Sequence, residues 1–208
     1  PADGLVGFEP EWFEGCTIAP GFVDCHTHLP FAGWRADEFE ARLSGVSYRE
    51  LHGEGGIYRS ARMLAEASDD EVLAFCRSLV QEMADHGTTA LELKTGYGLS
   101  VEAELRQARL ARRLAEEAPQ TCSVTLLACH AVPQGLERAD WVRSVCDELI
   151  PAAVREDLVD AIDPARILYR TTYHHPVFTE AGVRAQARRD EISGVNRTWY
   201  CGAYWSYG

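Results

Sequence analysis

Short apolar segments alternate with longer amphipathic segments along the first 160 or so residues, and this alternation limits the folds that the chain can adopt. Apolar runs typical of buried strands cover residues 21–26, 88–94 and 122–129. Helical periodicity fills the segments between Ser68 and Gly87, between Ser100 and Pro119, and over 139–154. Strands and helices in this order predict an α/β fold of parallel βα units, which a doubly wound sheet and a (β/α)8 barrel both contain.

Weaker signals extend the same pattern on either side of these units. Residues 36–67 have the periodicity of two or three short helices, and Ser47 with Glu50 fits a capping box among them. Residues 158–163 are a candidate for one further strand. The βα pattern is therefore expected to reach residue 163.

Polar residues follow the ends of successive predicted strands, and they favour the barrel over the doubly wound sheet. They are His26 and His28, then Lys94 and Tyr97, then His130. Barrel enzymes build their active sites on the rim where these strand ends meet. Because a whole barrel takes about 250 residues, residues 19–163 are predicted to form its N-terminal half.

His26 and His28 are the first candidates for chemistry. Residues i and i+2 of a strand face the same side, so both imidazoles can point at one ion. Neutral imidazole binds zinc, iron, nickel and manganese to differing degrees. A pair of surface or hydrogen-bonded histidines is the alternative, but a preceding apolar strand and a proline–glycine start favour the metal site.

Three further residues are candidates for binding a substrate. Arg35 lies in the loop after the first strand, and a guanidinium suits a carboxylate. Tyr97 leaves the second strand through a glycine turn, and His130 ends the third predicted strand. Each has a structural alternative: a solvated arginine, a tyrosine packed over a loop, and a histidine that only supports the fold.

The neighbours of these candidates have simpler interpretations. Glu92 and Lys94 alternate with leucines, so they are expected to point into the barrel, where a buried lysine needs a partner. Cys25 and Cys129 lie beside the proposed ligands and are expected to face the helix layer as small apolar residues.

The amino-acid composition limits which binding partners and which cellular compartment we expect for the chain. A net charge of −12 argues against nucleic acid, because a phosphate footprint needs clustered Lys and Arg. Seven cysteines, an odd number without a Cys-x-x-Cys pair, indicate neither a disulfide framework nor a zinc knuckle. With no recognisable leader or membrane span, the chain is expected to be cytoplasmic, with reduced thiols and no membrane partner.

Several sequence motifs follow one another between about residue 15 and residue 163: Pro20–His28, Leu29–Arg35, Glu38–Leu43, Gly55–Ile57, Glu92–Leu99, Glu104–Leu105 and Cys129–Pro133. Together and in this order they resemble one enzyme family, imidazolonepropionase of the metal-dependent amidohydrolase superfamily. The resemblance implies hydrolysis of 4-imidazolone-5-propanoate to N-formimidoyl-L-glutamate in histidine degradation, with one zinc or iron ion. It matches His26 and His28 to metal ligands, and Arg35, Tyr97 and His130 to substrate-binding positions.

The chain also departs from that family. The later metal ligands, one His and one Asp, and the glutamate that handles the water proton have no counterpart in the sequence, so the general base is unassigned. Residues 1–18 match only a remnant of the flanking β-sandwich. We therefore consider two hypotheses, an active enzyme and an inactive fragment. The resemblance also suggests a homodimer, whose interface a fragment would not necessarily form.

Residues 164–208 have a different character and are expected to be a foreign tail. From residue 165 onwards this segment holds six arginines against three acidic residues and is dense in aromatics. Its motifs Tyr173–Phe178 and Asn196–Gly208 resemble the C-terminal region of flavin-dependent amine-oxidase-like proteins, in which such a stretch approaches FAD. The Gly-x-Gly-x-x-Gly that opens such a fold is absent from the sequence. A flavin-associated module is therefore a third hypothesis.

Overall fold

A computed structural model describes residues 13–44, 55–159 and 179–200, together with residues 165, 167, 169, 172 and 205. Five predictions fall largely or wholly outside these residues: the β-sandwich remnant over 1–18, the capping box at Ser47, the candidate strand over 158–163, and the tail motifs Tyr173–Phe178 and Asn196–Gly208. Of that candidate strand, Leu158 and Val159 are described, and neither is in a strand. The Leu158 amide donates to the Ala153 carbonyl instead.

Three parallel strands form the sheet of the described residues, in the order β1–β2–β3. They are β1 (Phe22–Thr27), β2 (Thr88–Lys94) and β3 (Thr121–Thr125). Since the strands are parallel, their carboxyl ends lie at one edge of the sheet. This confirms the parallel βα pattern, while the closed barrel stays a prediction because closure needs more strands than these three.

Helices connect and flank the strands. They are α1 (Ala36–Leu43), α2 (Ile57–Glu66), α3 (Asp69–Asp85), α4 (Val101–Glu117), α5 (Arg138–Ser144), α6 (Ile150–Arg155) and α7 (Glu180–Gln186). A five-residue π-helical segment, Val145–Leu149, joins α5 to α6. The predicted helices are confirmed: 36–67 holds two described helices, and 139–154 is helical throughout. None of the described helices is long and apolar enough to cross a membrane.

Two predicted helix starts form as the sequence indicates. The Ser68 hydroxyl accepts from the Glu71 amide, and the Glu71 carboxylate accepts from the Ser68 amide at 2.8 Å, which completes the capping box of α3. The Ser100 hydroxyl accepts from the Ala103 amide at 3.2 Å and caps α4. These caps satisfy amides that the first helical turn leaves without partners.

The main core lies between the sheet and helices α2, α3 and α4. Leu73 of α3, Leu93 of β2 and Leu114 of α4 are almost completely buried there. A second cluster places Trp141 and Leu149 against the other side of α4. Helix α4 therefore packs on both sides, which fixes its position relative to the strand ends.

Two strand predictions need correction. The strand predicted over 122–129 ends at Thr125, because the Leu127 amide donates to the Thr95 hydroxyl at 3.0 Å instead of extending the ladder. His130 consequently lies in a loop after β3. The first strand was expected to be buried, but Phe22 is 66% and Val23 69% exposed. Its position at the edge of the three-stranded sheet leaves these side chains uncovered.

The fully buried Leu73 offers a test of the main core. Leu73→Ala should lower the free energy of unfolding by about 2–5 kcal/mol, because it removes buried apolar contacts and leaves a cavity. Urea titration followed by circular dichroism measures the change. Leu136→Ala, at a side chain that is 41% exposed, is the control and should change stability far less. Equal losses in the two variants would contradict the assigned core.

Candidate metal and substrate site

Three of the predicted residues meet where the strands end. The rings of His28 and His130 are stacked, with centroids 4.6 Å apart and planes 10° from parallel. The Tyr97 ring lies 5.3 Å from His28 and 5.7 Å from His130, measured between centroids. Loops after three different strands therefore bring their side chains into one cluster, as the position of polar residues in the sequence predicted.

His26 lies beside this cluster. Its ring centroid is 5.3 Å from that of His28, and the two planes are 75° apart. Two imidazoles on one tetrahedral ion, with metal–nitrogen distances of about 2 Å, have ring centres roughly 5 Å apart. The His26–His28 spacing fits such a pair.

The environment of His28 suits a neutral ligand. Burial lowers the pKa of His28 from 6.5 to about 4, and the nearby charges of His130, His26 and Lys94 act in the same direction. A backbone hydrogen bond to Thr95 opposes the shift. The buried Nδ1 of His28 has no hydrogen-bond partner among the described residues. A neutral, buried ring nitrogen without a partner is an available donor for a metal ion.

The described residues supply only part of a full coordination sphere. No group of three or more His, Cys, Asp or Glu side chains is arranged to hold a metal within the described ranges. Catalytic zinc sites usually have three protein ligands. His26 and His28 alone would leave such a site one protein ligand short, so their role as metal ligands stays a prediction.

Lys94 has the partner that its burial requires. Its ammonium is paired with the Glu92 carboxylate on the same face of β2, and the Lys94 side chain is 11% exposed. The Thr125 hydroxyl donates to the other Glu92 oxygen at 2.6 Å. The pair is therefore held between β2 and β3, and its positive end contributes to the lowered pKa of His28.

Arg35 belongs to a separate group of charges. Its guanidinium lies 3.1 Å from Glu38, whose carboxylate also accepts from the Gly56 amide at 3.0 Å. Arg59 contacts the same carboxylate at 3.4 Å and Asp37 at 2.6 Å. Glu38 thus anchors the Arg35 guanidinium beside α2, while the three-ring cluster forms without it.

Two cysteine predictions were wrong. Cys25 and Cys129 were expected to face the helix layer, but both are exposed. Cys25 lies on the edge strand β1, and Cys129 lies in the turn after β3, so no helix covers either side chain in the part of the chain that the structure describes.

Two residues of α4 that the sequence did not single out for the site organise the Tyr97 loop. The buried Glu104 carboxylate accepts hydrogen bonds from three loop amides: Gly96 at 3.1 Å, Gly98 at 2.8 Å and Leu99 at 3.1 Å. The Gln107 carbonyl oxygen accepts from the Gly96 and Tyr97 amides at 3.0 and 2.9 Å. Both side chains are completely buried.

A signal for these residues was present in the sequence. Glu104 and Gln107 occupy positions i and i+3 on the face of α4 that continues through Ala108, Ala111 and Leu114. Polar residues at core-facing positions of an amphipathic helix must find partners inside the protein. Buried partners were therefore to be expected for Glu104 and Gln107, and the structure places them in the loop that carries Tyr97.

Glycine is required at position 96 for a steric reason. Gly96 has φ of +116°, and a Cβ there would lie 2.8 Å from the His130 Cβ and 3.0 Å from the Leu127 carbonyl oxygen. The absence of a side chain lets the loop carrying His130 approach the loop carrying Tyr97.

Parallel βα units thus place the His26–His28 pair at the carboxyl end of β1, beside the loops that carry Tyr97 and His130, an arrangement compatible with the class of metal-dependent amidohydrolases. No protein-family model matches the chain. Curated relatives do, and they are imidazolonepropionases. The chain is 47% identical over 152 residues to that of Pseudomonas putida, 49% over 152 to that of Ectopseudomonas mendocina and 43% over 169 to that of Aeromonas salmonicida.

These matches confirm the family resemblance. They cover 72–78% of this chain and 38–41% of the relatives. The chain therefore spans about two fifths of the length of the curated relatives it matches. The resemblance of residues 164–208 to flavoproteins stays a prediction.

Gly96→Ala tests the close approach of the two loops. The added methyl group should displace His130 from its stack on His28 and lower stability by about 1–3 kcal/mol, the usual cost of overpacking. Gly135→Ala is the control, because Gly135 also has positive φ but open space around it. Proton NMR of the histidine rings together with urea unfolding measures both effects. Unchanged ring signals in Gly96→Ala would contradict the assigned contact.

The lowered pKa of His28 predicts how stability depends on pH. The folded state, with a His28 pKa of about 4, binds fewer protons than the unfolded state, with a pKa near 6.5. The stability contribution is therefore complete above pH 6.5, falls as the pH decreases towards 4, and then levels off. Urea unfolding of chelator-treated protein between pH 7.5 and 4 measures this loss.

A matched pair of variants isolates the His28 contribution. His28→Gln should flatten the stability profile between pH 6.5 and 4 relative to the parent. His86→Gln, at an exposed histidine after α3, should keep the parent profile. A steep acid loss that survives His28→Gln would show that other groups cause it.

Proposed function

We propose that the chain carries the first half of the active site of an imidazolonepropionase on the N-terminal half of a (β/α)8 barrel, residues 19–163. The reaction is hydrolysis of the ring of 4-imidazolone-5-propanoate to N-formimidoyl-L-glutamate. One observation carries the proposal: His26 and His28 pair beside the Tyr97 and His130 rings, and the buried His28 Nδ1 has no partner among the described residues. The similarity to imidazolonepropionases supports the proposed substrate class.

In this proposal His26 and His28 hold one zinc or iron ion. When bound, such an ion would supply a water nucleophile at neutral pH and would polarise the carbonyl of the substrate. The chain's own contribution is to keep His28 neutral through burial, so that no proton competes for its ring nitrogen. The Lys94–Glu92 pair next to the site keeps a positive charge near His28 and favours the same protonation state.

Substrate binding in the proposal divides between two groups of residues. Arg35 binds the propanoate carboxylate. Glu38 contacts one nitrogen of the Arg35 guanidinium, and because a guanidinium has five N–H donors, others remain for the substrate. Tyr97 and His130 orient the imidazolone ring. The Tyr97 hydroxyl and the His130 imidazole lie next to the two proposed metal-binding histidines, and both groups can form hydrogen bonds with a planar polar ring.

We further propose a cytoplasmic setting. All six cysteines that the structure describes are free thiols, which suits a reducing compartment. Curated relatives of this kind are enzymes whose substrate is a small molecule.

An inactive fragment is the second candidate, and a specific observation favours it. Phe22 and Val23 of β1 are mostly exposed, and β1 has a paired strand on only one side in the described sheet. An open apolar edge promotes association with other chains. The flavin-associated alternative depends on the resemblance of the tail alone.

Metal binding separates the candidates without requiring turnover. The purified chain should bind about one zinc ion per molecule, measured by calorimetry and elemental analysis after dialysis. His28→Gln should weaken that binding at least about tenfold, since it removes one of two protein ligands. The control His86→Gln changes the same residue type outside the site and should leave binding unaltered.

Turnover of 4-imidazolone-5-propanoate then tests the reaction itself. An active parent chain should lose turnover on His26→Ala. Zinc binding that does not depend on His28 would contradict the proposed site. Zinc binding without turnover would favour the inactive fragment, and a bound flavin with its visible spectrum would favour the third alternative.

A further inference from the structure

Gln107 connects two loops of the site through one side chain. Its Nε2 donates to the Pro30 carbonyl at 2.9 Å, and its Oε1 accepts from the Gly96 and Tyr97 amides at 3.0 and 2.9 Å. Pro30 follows His28 by two residues in the loop after β1, and Gly96 precedes Tyr97 in the loop after β2. One planar amide therefore spans the gap between the two loops.

The chemistry of the bridge requires an amide. The loop after β1 presents an acceptor, the Pro30 carbonyl, while the loop after β2 presents donors, the Gly96 and Tyr97 amides. A glutamine offers a donor and an acceptor at a fixed separation, whereas a carboxylate offers only acceptors and a methionine offers neither in useful strength. Gln107 is completely buried, so water does not replace these bonds.

The helix that carries Gln107 is itself held firmly. Its neighbours Leu105 and Ala108 are buried in one cluster, and Leu110 and Ala111 are buried in the other. The side-chain amide of Gln107 is thus held in place by a well-packed helix, and the two loops are hydrogen-bonded to that amide.

We propose that Gln107 is a positioning residue that sets the separation between the His28 ring and the Tyr97 ring. It acts through the backbone of each loop, at the Pro30 carbonyl and at the Gly96 and Tyr97 amides. The relevance of this spacing to substrate binding rests on the proposed function, since His28 is there a metal ligand and Tyr97 a substrate contact. The geometric claim itself needs no activity to be tested.

Gln107→Met tests the bridge in the full chain, because methionine has a similar length and helix propensity but lacks the amide. Two-dimensional NMR with labelled His and Tyr rings measures the nuclear Overhauser effects between His28 and Tyr97. We expect these to fall at least threefold, while the inter-strand effects of the pair Leu93–Val124 persist. Gln81→Met, the same change at an exposed position of α3, should keep the parent intensities.

A second comparison separates positioning from general destabilisation. Leu73→Ala lowers stability through the core but leaves both loop contacts of Gln107 in place, so the ring-to-ring signals should survive. If Gln107→Met fails to fold, Gln107→Asn answers the same question, because it keeps an amide but is one methylene shorter and cannot reach both Pro30 and the Gly96 and Tyr97 amides. We expect a weakened His28–Tyr97 signal in that variant too.

The proposal is overturned if a folded Gln107→Met or Gln107→Asn keeps the parent ring-to-ring intensities. It is also overturned if Leu73→Ala loses them to the same extent, since the loss would then follow stability. Neither outcome bears on the proposed function, which zinc binding and turnover test separately. A protein that binds no zinc but loses the His28–Tyr97 contact on Gln107→Met would support the positioning role and contradict the proposed function.

Discussion

A carboxylate buried in a protein core must find hydrogen bonds, and Glu104 finds them in the loop that carries Tyr97. Burial raises the pKa of Glu104, while the hydrogen bonds from the Thr95 hydroxyl and from the Leu99, Gly98 and Gly96 amides act against the rise. Thr95 extends this network, because its hydroxyl also accepts from the Leu127 amide. The loops after β2 and β3 are therefore connected through Glu104 and Thr95, and Gln107 connects the loop after β1. Neighbouring positions of one helix thus hold all three loops of the site.

This network explains why the site forms at the carboxyl edge of so short a sheet. The strands end at Thr27, Lys94 and Thr125, and beyond those residues no ladder fixes the backbone. Amides that leave the ladder must be satisfied by side chains or water. The Leu127 carbonyl, which accepts from the His130 amide at 3.1 Å, belongs to the same chain of contacts. His130 reaches His28 because the turn that carries it is anchored to Thr95.

The sequence predicted those parts of the fold whose signals are local. The caps at Ser68 and Ser100 and the order of strands and helices follow from nearby residues, and the structure agrees. The end of β3 could not be predicted, because the apolar run continues past Thr125 while the ladder stops where Thr95 supplies another partner. The exposure of Cys25 also depends on which strands flank β1, and a strand's own residues do not specify its neighbours.

The candidate site also has one part that the sequence predicted and one part that it did not. Parallel strands bring their ends together whatever the loops contain, so the meeting of His28, Tyr97 and His130 followed from topology. The roles of Glu104 and Gln107 depend on side-chain contacts between α4 and two loops, of which the loop after β1 is far from it in sequence. Pro30, for example, is 77 residues from Gln107. In the sequence, such contacts are indicated only by polar residues at positions of a helix that otherwise face the apolar core.

His28 shows what the network achieves energetically. A buried polar atom without a partner costs roughly 1–3 kcal/mol, and the Nδ1 of His28 is such an atom in the described residues. Burial and neighbouring positive charges keep that ring neutral, so protonation does not relieve the cost. A metal ion shared with His26 would satisfy the nitrogen and convert the unfavourable burial into binding free energy. Gln107 of α4 holds the backbone two residues after His28, at the Pro30 carbonyl, and this bond links the buried network to the residue on which the proposed chemistry depends.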